Sequence, residues 1–319
     1  MPLGEFELIA KYFTRAAKNA ALGVGDDCAL LAPAPGTQLA ISSDMLVEGR
    51  HFVSTVDPAR LGHKALAVNL SDLAACGARP LAFSLALAMP RVDESFLEGF
   101  SRGLFALAEQ HACELIGGDT TQGPLNICIT VFGEVPAGGA LLRKGARPGD
   151  QVWASGTLGD ARLALEVLRG SIALDGADFE AVRRAMELPQ PRVALGQALR
   201  GLAGSAIDVS DGLLGDLGHL LRASEVGATL DVDALPRSPV LSRQARALQL
   251  ECLLAGGDDY ELVFSAAPAL ADRVRAAALA AGVALTCIGR IEAEAGLRLC
   301  DAQGRLVDNC YGSFDHFKS

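Results

Sequence analysis

Hydrophobic and polar positions along the chain change period many times, and the changes mark out elements. In residues 5–18, Phe6, Ile9, Tyr12, Phe13 and Ala16 recur at helical spacing and predict a helix. Residues 39–41 form a short apolar strand that ends on Ser42, Ser43 and Asp44. Residues 58–77 predict a helix, with Pro58 suited to its first turn and Gly77 to its C-terminal cap. A buried strand is expected at 82–89, an amphipathic helix at 94–111, a strand at 113–116 and another at 126–135. Residues 136–149 are rich in Gly and Pro and read as a linker. Beyond it come a strand at 151–155, helices at 160–169 and 192–202, and a strand at 206–209 that runs into a further helix. The pattern closes with an apolar strand after residue 259, a helix at 269–281 and strands at 284–288 and 297–299. The expectation is an α/β chain, mixed with α+β character, in two domains: residues 1–137 and 138–319.

Composition narrows this. The chain has 319 residues, half of them hydrophobic, with 35 glycines and few aromatics, a profile of a globular enzyme rather than a fibrous or disordered protein. Its net charge is −10 and no basic run occurs, which argues against nucleic acid or an anionic membrane as partner. The eight cysteines form no CxxC pair and sit mostly in apolar runs, so they read as small buried hydrophobes in a reducing compartment. The start, MPLGEFELIAKYF, lacks the pattern of a signal peptide, and no stretch approaches a membrane span, so a soluble cytoplasmic protein is expected.

The chemistry-bearing residues gather in acidic, glycine-rich stretches. GVGDDCALL presents Asp26 and Asp27 before a strand. SSDMLVEGRHF places Ser42, Ser43 and Asp44 at a strand end, followed by Glu48, Arg50 and His51. These oxygen donors suit a hard cation such as Mg²⁺, or else cap the next element. Asn69, Ser71 and Asp72 interrupt an otherwise small and apolar helix, a costly arrangement unless it is used. GGDTTQG, with Gly118 and Asp119, lets backbone approach a ligand. DVSDGLLGD sets Asp208, Ser210 and Asp211 at a helix N-terminus, whose amides also favour an anion. AGGDDYELVF repeats the pattern with Asp258, Asp259 and Glu261. Arg143, Lys144 and Arg147 form either a solvated loop or a phosphate contact. Phe314 and Phe317 either tether the C-terminus or wall a pocket.

There is no Walker loop, dinucleotide fingerprint, protein-kinase set, GxSxG elbow or HExxH. Six carboxylates, Asp27, Asp44, Asp72, Asp119, Asp208 and Asp211, exceed the needs of an acid/base pair and match several Mg²⁺ ions on a polyphosphate. Phosphoryl transfer asks mainly for such positioning and charge neutralisation. Over essentially its whole length the chain resembles the thiamine-monophosphate kinase family, through GDDCALL, SSDMLVEGRHF, NLSDLAACGARP, GGDTTQGP, DVSDGLLGD, GGDDYELVF and the terminal FDHF. SDMLVEGRHF with GGDDYEL is the specific pair, since Asp-rich turns alone indicate only the wider superfamily of aminoimidazole ribonucleotide synthetase and selenophosphate synthetase. A ligase of that superfamily or a non-catalytic metal-binding module is the competing reading.

The resemblance implies a two-domain aminoimidazole ribonucleotide synthetase-like fold and a dimer. It implies ATP- and Mg²⁺-dependent conversion of thiamine phosphate to thiamine diphosphate, without a protein nucleophile. It implies Mg²⁺ ligands at Asp27, Ser42, Ser43, Asp44, Asp72, Asp119, Asp208 and Asp211. ATP contacts fall at Gly118, Asp119, Arg143 and Ser210, and substrate contacts at His51, Glu261 and a terminal aromatic, Phe317 or Phe314. Ser42 and Ser43 depart from the threonine common in such proteins but keep the hydroxyl.

Overall fold

The structure is a computed structural model and describes residues 4–312. Phe314 and Phe317 lie outside the described residues. The chain divides into two compact units, one of Met1–Leu73 with Ala78–Gly138, the other of Ala74–Gly77 with Gly139–Ser319.

Unit 1 opens with helix α1 (Glu5–Leu8), which widens into a π-helical turn at Ile9–Phe13. The helix expected to reach residue 18 therefore stops at Phe13. Thr14 is already extended, and both its N–H and its hydroxyl donate to the Ile9 carbonyl. A small pair, β1 (Ala20–Leu22) and β2 (Leu30–Leu31), precedes the main sheet. That sheet holds β3 (Thr37–Val47), β4 (Arg79–Met89), β5 (Glu114–Gln122) and β6 (Asn126–Pro136) in the order β3-β6-β4-β5. β3/β6 and β6/β4 are antiparallel, and β4/β5 is parallel.

Two strands are longer than the apolar runs suggest. β3 pairs with β6 over all eleven of its residues, through Ser42, Ser43 and Asp44. β5 likewise continues through Gly117, Gly118 and Asp119. Neither polar set stands at a strand end. A ladder is made by backbone groups, so polar side chains do not interrupt it when each face accepts them. Helices α2 (Pro58–Ala75) and α3 (Glu94–Gln110) supply the apolar cover: Leu66, Leu70, Leu73, Leu97, Phe100 and Leu104 are fully buried. The two helices meet backbone to backbone. A Cβ on Gly62 would stand 2.0 Å from the Phe100 carbonyl oxygen, and one on Gly103 1.8 Å from that of Ala59.

Unit 2 is built on a seven-stranded sheet of β7 (Gln151–Ser155), β8 (Ser205–Asp208), β9 (Gly227–Asp231), β10 (Leu262–Ala266), β11 (Leu285–Glu292), β12 (Gly296–Cys300) and β13 (Leu306–Val307). Their order is β13-β12-β9-β11-β7-β10-β8, antiparallel except for β12/β9. Its helices are α4 (Asp160–Leu168), α5 (Gly176–Glu187), α6 (Val193–Ala198), α7 (Leu213–Ser224), α8 (Pro239–Ser242), α9 (Arg246–Ala255) and α10 (Ala271–Ala280). Val152, Ile207, Leu217, Leu230, Leu253, Val263 and Ile288 form the centre of a continuous core. Of the cysteines, only Cys113 and Cys252 are buried; Cys28 and Cys310 are exposed, and all eight are free thiols. The expectation of eight buried hydrophobes therefore fails for most of them. Burial pushes the Cys113 thiol up and that of Cys252 up to about 12, so neither is an activated nucleophile.

Candidate active site

In unit 1, strand alternation decides which face each donor serves. Ser42 and Asp44 lie on the helix-covered face. The Ser42 hydroxyl donates to Asp72 Oδ2 at 2.5 Å, and the Asp44 N–H donates to Asn69 Oδ1 at 3.0 Å. Asn69 is buried and donates in turn to the Ala65 carbonyl. The polar interruption of α2 thus faces the donors of β3. Ser43 lies on the opposite face, 3.0 Å from the Thr130 hydroxyl. Asp119 shares that open face, its row crossing the sheet through Ala86, Cys128 and Met45.

The open face walls a cleft of about 980 Å³, lined among others by Asp26, Asp27, Ile41, Gly117, Gly118 and Asp119. Gly118 is required where it is. Its φ is +150°, and a Cβ there would meet the Leu85 carbonyl oxygen at 1.8 Å. The unit 1 donors therefore form two sets on two faces. Asp27 and Asp119 line the cleft, while Ser42 and Asp44 lie under α2, which carries Asp72.

His51 sits in a tight turn after β3. Its own N–H and that of Arg50 donate to the Val47 carbonyl, while its Nδ1 accepts the Val47 N–H at 2.9 Å. That bond puts the neutral ring's proton on Nε2. The buried Lys64 donates to the His51 carbonyl at 3.3 Å, a support that sequence reading missed. An apolar helix carrying one lysine was the available signal.

In unit 2, two loops are stitched together by backbone. β8 ends at the buried Asp208, and the next residues bond to the 256–261 stretch. Val209 N–H donates to Glu261 O, Tyr260 N–H to Val209 O and Asp258 N–H to Ser210 O, each at 2.8 Å. Asp258 and Tyr260 both hold left-handed backbone, at φ +71° and +52°. Strain of this kind persists only where the surroundings fix it.

Glu261 is buried. Both its oxygens accept from the Arg192 guanidinium, and Oε2 also accepts from the Ser155 hydroxyl. Asp259 accepts the Gly159 N–H at 3.0 Å, and Asp160 accepts the Ser238 hydroxyl at 2.6 Å. Desolvation holds both carboxyls above the usual range; for Asp259 the charges of Asp160, Glu261 and Asp258 add to it. Arg192 was not foreseen, because nothing local marks a lone Arg as the partner of a residue 69 positions away.

The three amides just before α7 are already taken. Ser210, Asp211 and Gly212 donate to Asp216 Oδ2 at 3.0, 3.0 and 3.1 Å. The turn before the helix is thus filled by the chain's own carboxylate. Burial pushes Asp216 up to about 7, although these three donors favour its charge. Burial and the charges of Arg222 and Arg143 hold the exposed His219 below its usual value, against the opposing charge of Asp211. The loop after Arg143 is anchored by the Ser224 hydroxyl, which accepts the N–H groups of Gly145 and Ala146 and donates to the Arg143 carbonyl.

Every assigned cation ligand is an oxygen donor, the chemistry that Mg²⁺ takes. Among the described residues, no three or more His, Cys, Asp or Glu come together as a metal cage. Mg²⁺ does not need one, since it commonly uses one or two carboxylates and completes its shell with water and phosphate oxygens.

Two mixed α/β units, each with an acidic, glycine-rich site, define a protein of the AIR synthase related class. The family described as AIR synthase related protein, N-terminal domain, matches residues 25–135, and its C-terminal counterpart matches 147–301. The thiamine-monophosphate kinase of Escherichia coli K12 is 46% identical over 322 residues, spanning 99% of both chains. The solved thiamine-monophosphate kinase of Stenotrophomonas maltophilia K279a superposes with a TM-score of 0.85 at 44% identity, covering 94% of this chain and 95% of that one. A structure described as AaThiL complexed with AMPPCP and TMP matches at a TM-score of 0.78 and 29% identity, over 90% and 89% of the two chains. The chain belongs to the thiamine-monophosphate kinase family.

Proposed function

We propose that the chain transfers the γ-phosphoryl group of ATP to thiamine phosphate, giving thiamine diphosphate and ADP, the last step in making thiamine diphosphate. The observation that carries this reading is the stitching of the 208–211 turn to the 256–261 loop. It ties Ser210, which we assign to the nucleotide, to the loop that ends in Glu261, which we assign to the substrate. A phosphotransferase needs its two substrates held in that way, in fixed register. The likeness to a relative described with AMPPCP, whose methylene bridge blocks cleavage, and TMP supports it.

The residues divide the work. Gly118 gives the nucleotide backbone access, and Asp119, Arg143 and Ser210 contact it. His51 contacts the substrate, and Glu261 lies at the end of the loop that receives it. Phe317 or Phe314 contributes an aromatic surface for the thiamine. Asp27, Ser42, Ser43, Asp44, Asp72, Asp119, Asp208 and Asp211 would hold Mg²⁺. When bound, Mg²⁺ neutralises charge on the phosphate oxygens. The acceptor phosphate is already ionised, so its oxygen attacks the γ-phosphorus in line without a general base. The bond to the β,γ-bridging oxygen breaks, and ADP departs with the electron pair.

We place the enzyme in the cytoplasm, in keeping with eight free thiols; among the described residues no helix is long and apolar enough to cross a membrane. We also infer a homodimer through unit 1, where Leu39, Ile41 and Met45 leave an apolar stripe exposed on β3. Incubation with ATP, Mg²⁺ and thiamine phosphate should yield thiamine diphosphate, read by chromatography. Excess chelator should abolish turnover, and added Mg²⁺ should restore it. Absence of product with Mg²⁺ present overturns the reaction; undiminished turnover in chelator overturns the cation assignment.

A further inference from the structure

We propose that Asp216 is the positioning residue of the 208–211 turn, holding Ser210 and Asp211 in the conformation that receives the nucleotide and its cation. This role in binding rests on the kinase reading above; the hold on the turn does not. Helix α7 starts at Leu213 behind Gly212 and has no side-chain cap from its N-cap residue. Asp216, in the first turn, reaches back instead. One of its oxygens accepts three consecutive backbone N–H groups, those of Ser210, Asp211 and Gly212.

An ordinary cap satisfies amides inside its helix. These three lie before the helix, and two of them are on Ser210 and Asp211, which carry proposed ligands. Successive amides converging on one point form a nest that otherwise binds an external anion. Here a carboxylate that is 4% exposed fills it permanently. The far side of the turn is fixed as well: the Ser210 carbonyl accepts the Asp258 N–H, and a Cβ on Gly257 would stand 2.2 Å from that carbonyl oxygen. Both sides of the turn are thus held by backbone bonds, while its proposed ligand groups, the Asp208 and Asp211 carboxylates and the Ser210 hydroxyl, are all side chains. Asp216 touches neither substrate; it acts through the backbone that presents Ser210 and Asp211.

Three variants of the full chain test this, with two readouts: hydrogen exchange of the 210–212 amides, and calorimetric binding of AMPPCP with Mg²⁺. Asp216→Asn keeps an oxygen acceptor in place and should retain amide protection and affinity. Asp216→Ala removes the acceptor, and Asp216→Glu displaces it by a methylene. Both should speed exchange of those amides and weaken AMPPCP about tenfold, the scale of one lost hydrogen bond's worth of positioning. The KM for thiamine phosphate should stay near the parental value in both. Parental exchange and affinity in the Ala and Glu variants would overturn the proposal, as would an Asn variant as weak as Ala. If the Ala variant does not fold, the Asn and Glu variants decide, and equal affinity in those two overturns it. Failure of the parent to phosphorylate thiamine phosphate would overturn the kinase reading, while exchange and AMPPCP binding would still decide the hold on the turn.

Discussion

On the proposed reading, Glu261 serves both the fold and the substrate with one carboxylate. Arg192 takes both its oxygens, Ser155 shares one of them, and the Ser155 hydroxyl also accepts the Leu262 N–H at 2.8 Å. Gly156, at φ +56°, leaves the room: a Cβ there would stand 1.9 Å from Glu261 Oε1. Truncating one partner of such a buried pair strands the other charge, a loss of about 3–5 kcal/mol. Glu261→Ala should therefore melt early for reasons unrelated to substrate. Glu261→Gln keeps the shape and one acceptor oxygen for Arg192 or Ser155, but replaces the other with an amide NH2 and removes the charge, so it should melt less early than the Ala variant. It should raise the KM for thiamine phosphate more than the KM for ATP. Steady-state kinetics with each substrate varied in turn checks this, and a Gln variant that loses ATP affinity alone would move Glu261 out of the substrate site. The residue type was legible from GGDDYEL; its partner was not, because a pairing across 69 positions leaves no local pattern.

At the scale of elements, α2 and α3 show where volume decides. Gly103 faces the Ala59 carbonyl so closely that any side chain must push the helices apart. Gly103→Ala, made away from every proposed ligand, should destabilise unit 1 by at least about 1–3 kcal/mol, the usual cost of overpacking. Thermal melts measure it, and an unchanged midpoint would mean that the helices slide freely. Period-3.6 helices such as α2, α3 and α4 were legible because their apolar stripes are broad. The lengths of β3 and β5 were not, since Ser42, Ser43, Asp44 and Gly117–Asp119 look like loop while the ladder continues beneath them. α5 went unread because only Val182, Met186 and Glu187 are buried along it, too sparse a stripe for periodicity. The same limit applies to the site. Acidic stretches mark its donors, but which face of β3 each one serves depends on a register that only the paired strand β6 fixes.

At the scale of the whole molecule, the chain is acidic, and it encloses some of that acidity rather than leaving it all in water. Asp259 is the clearest case: its carboxyl is desolvated near Asp160, Asp258 and Glu261, with the Gly159 N–H as its donor. A carboxyl raised in the folded state binds its proton more tightly there than in the unfolded chain. Its contribution to stability is full below the unfolded value of about 3.9 and is lost as pH rises toward the folded value, at about 1.4 kcal/mol per pH unit. Glu134 runs the other way. The Ala34 N–H and the Arg79 guanidinium hold it low, so its contribution is present above about 4.3 and lost as pH falls. The two opposite slopes can be separated by one substitution. Asp259→Asn keeps an acceptor for Gly159 and cannot ionise. Relative to the parent it should be no more stable at pH 4 and increasingly more stable toward pH 7. Acid denaturation near Glu134 is shared by both proteins and cancels in the difference. Denaturant unfolding across pH 4–8 gives that difference directly. A parent and variant that differ by the same amount at every pH would show that Asp259 is ionised in the folded protein as readily as in the unfolded one.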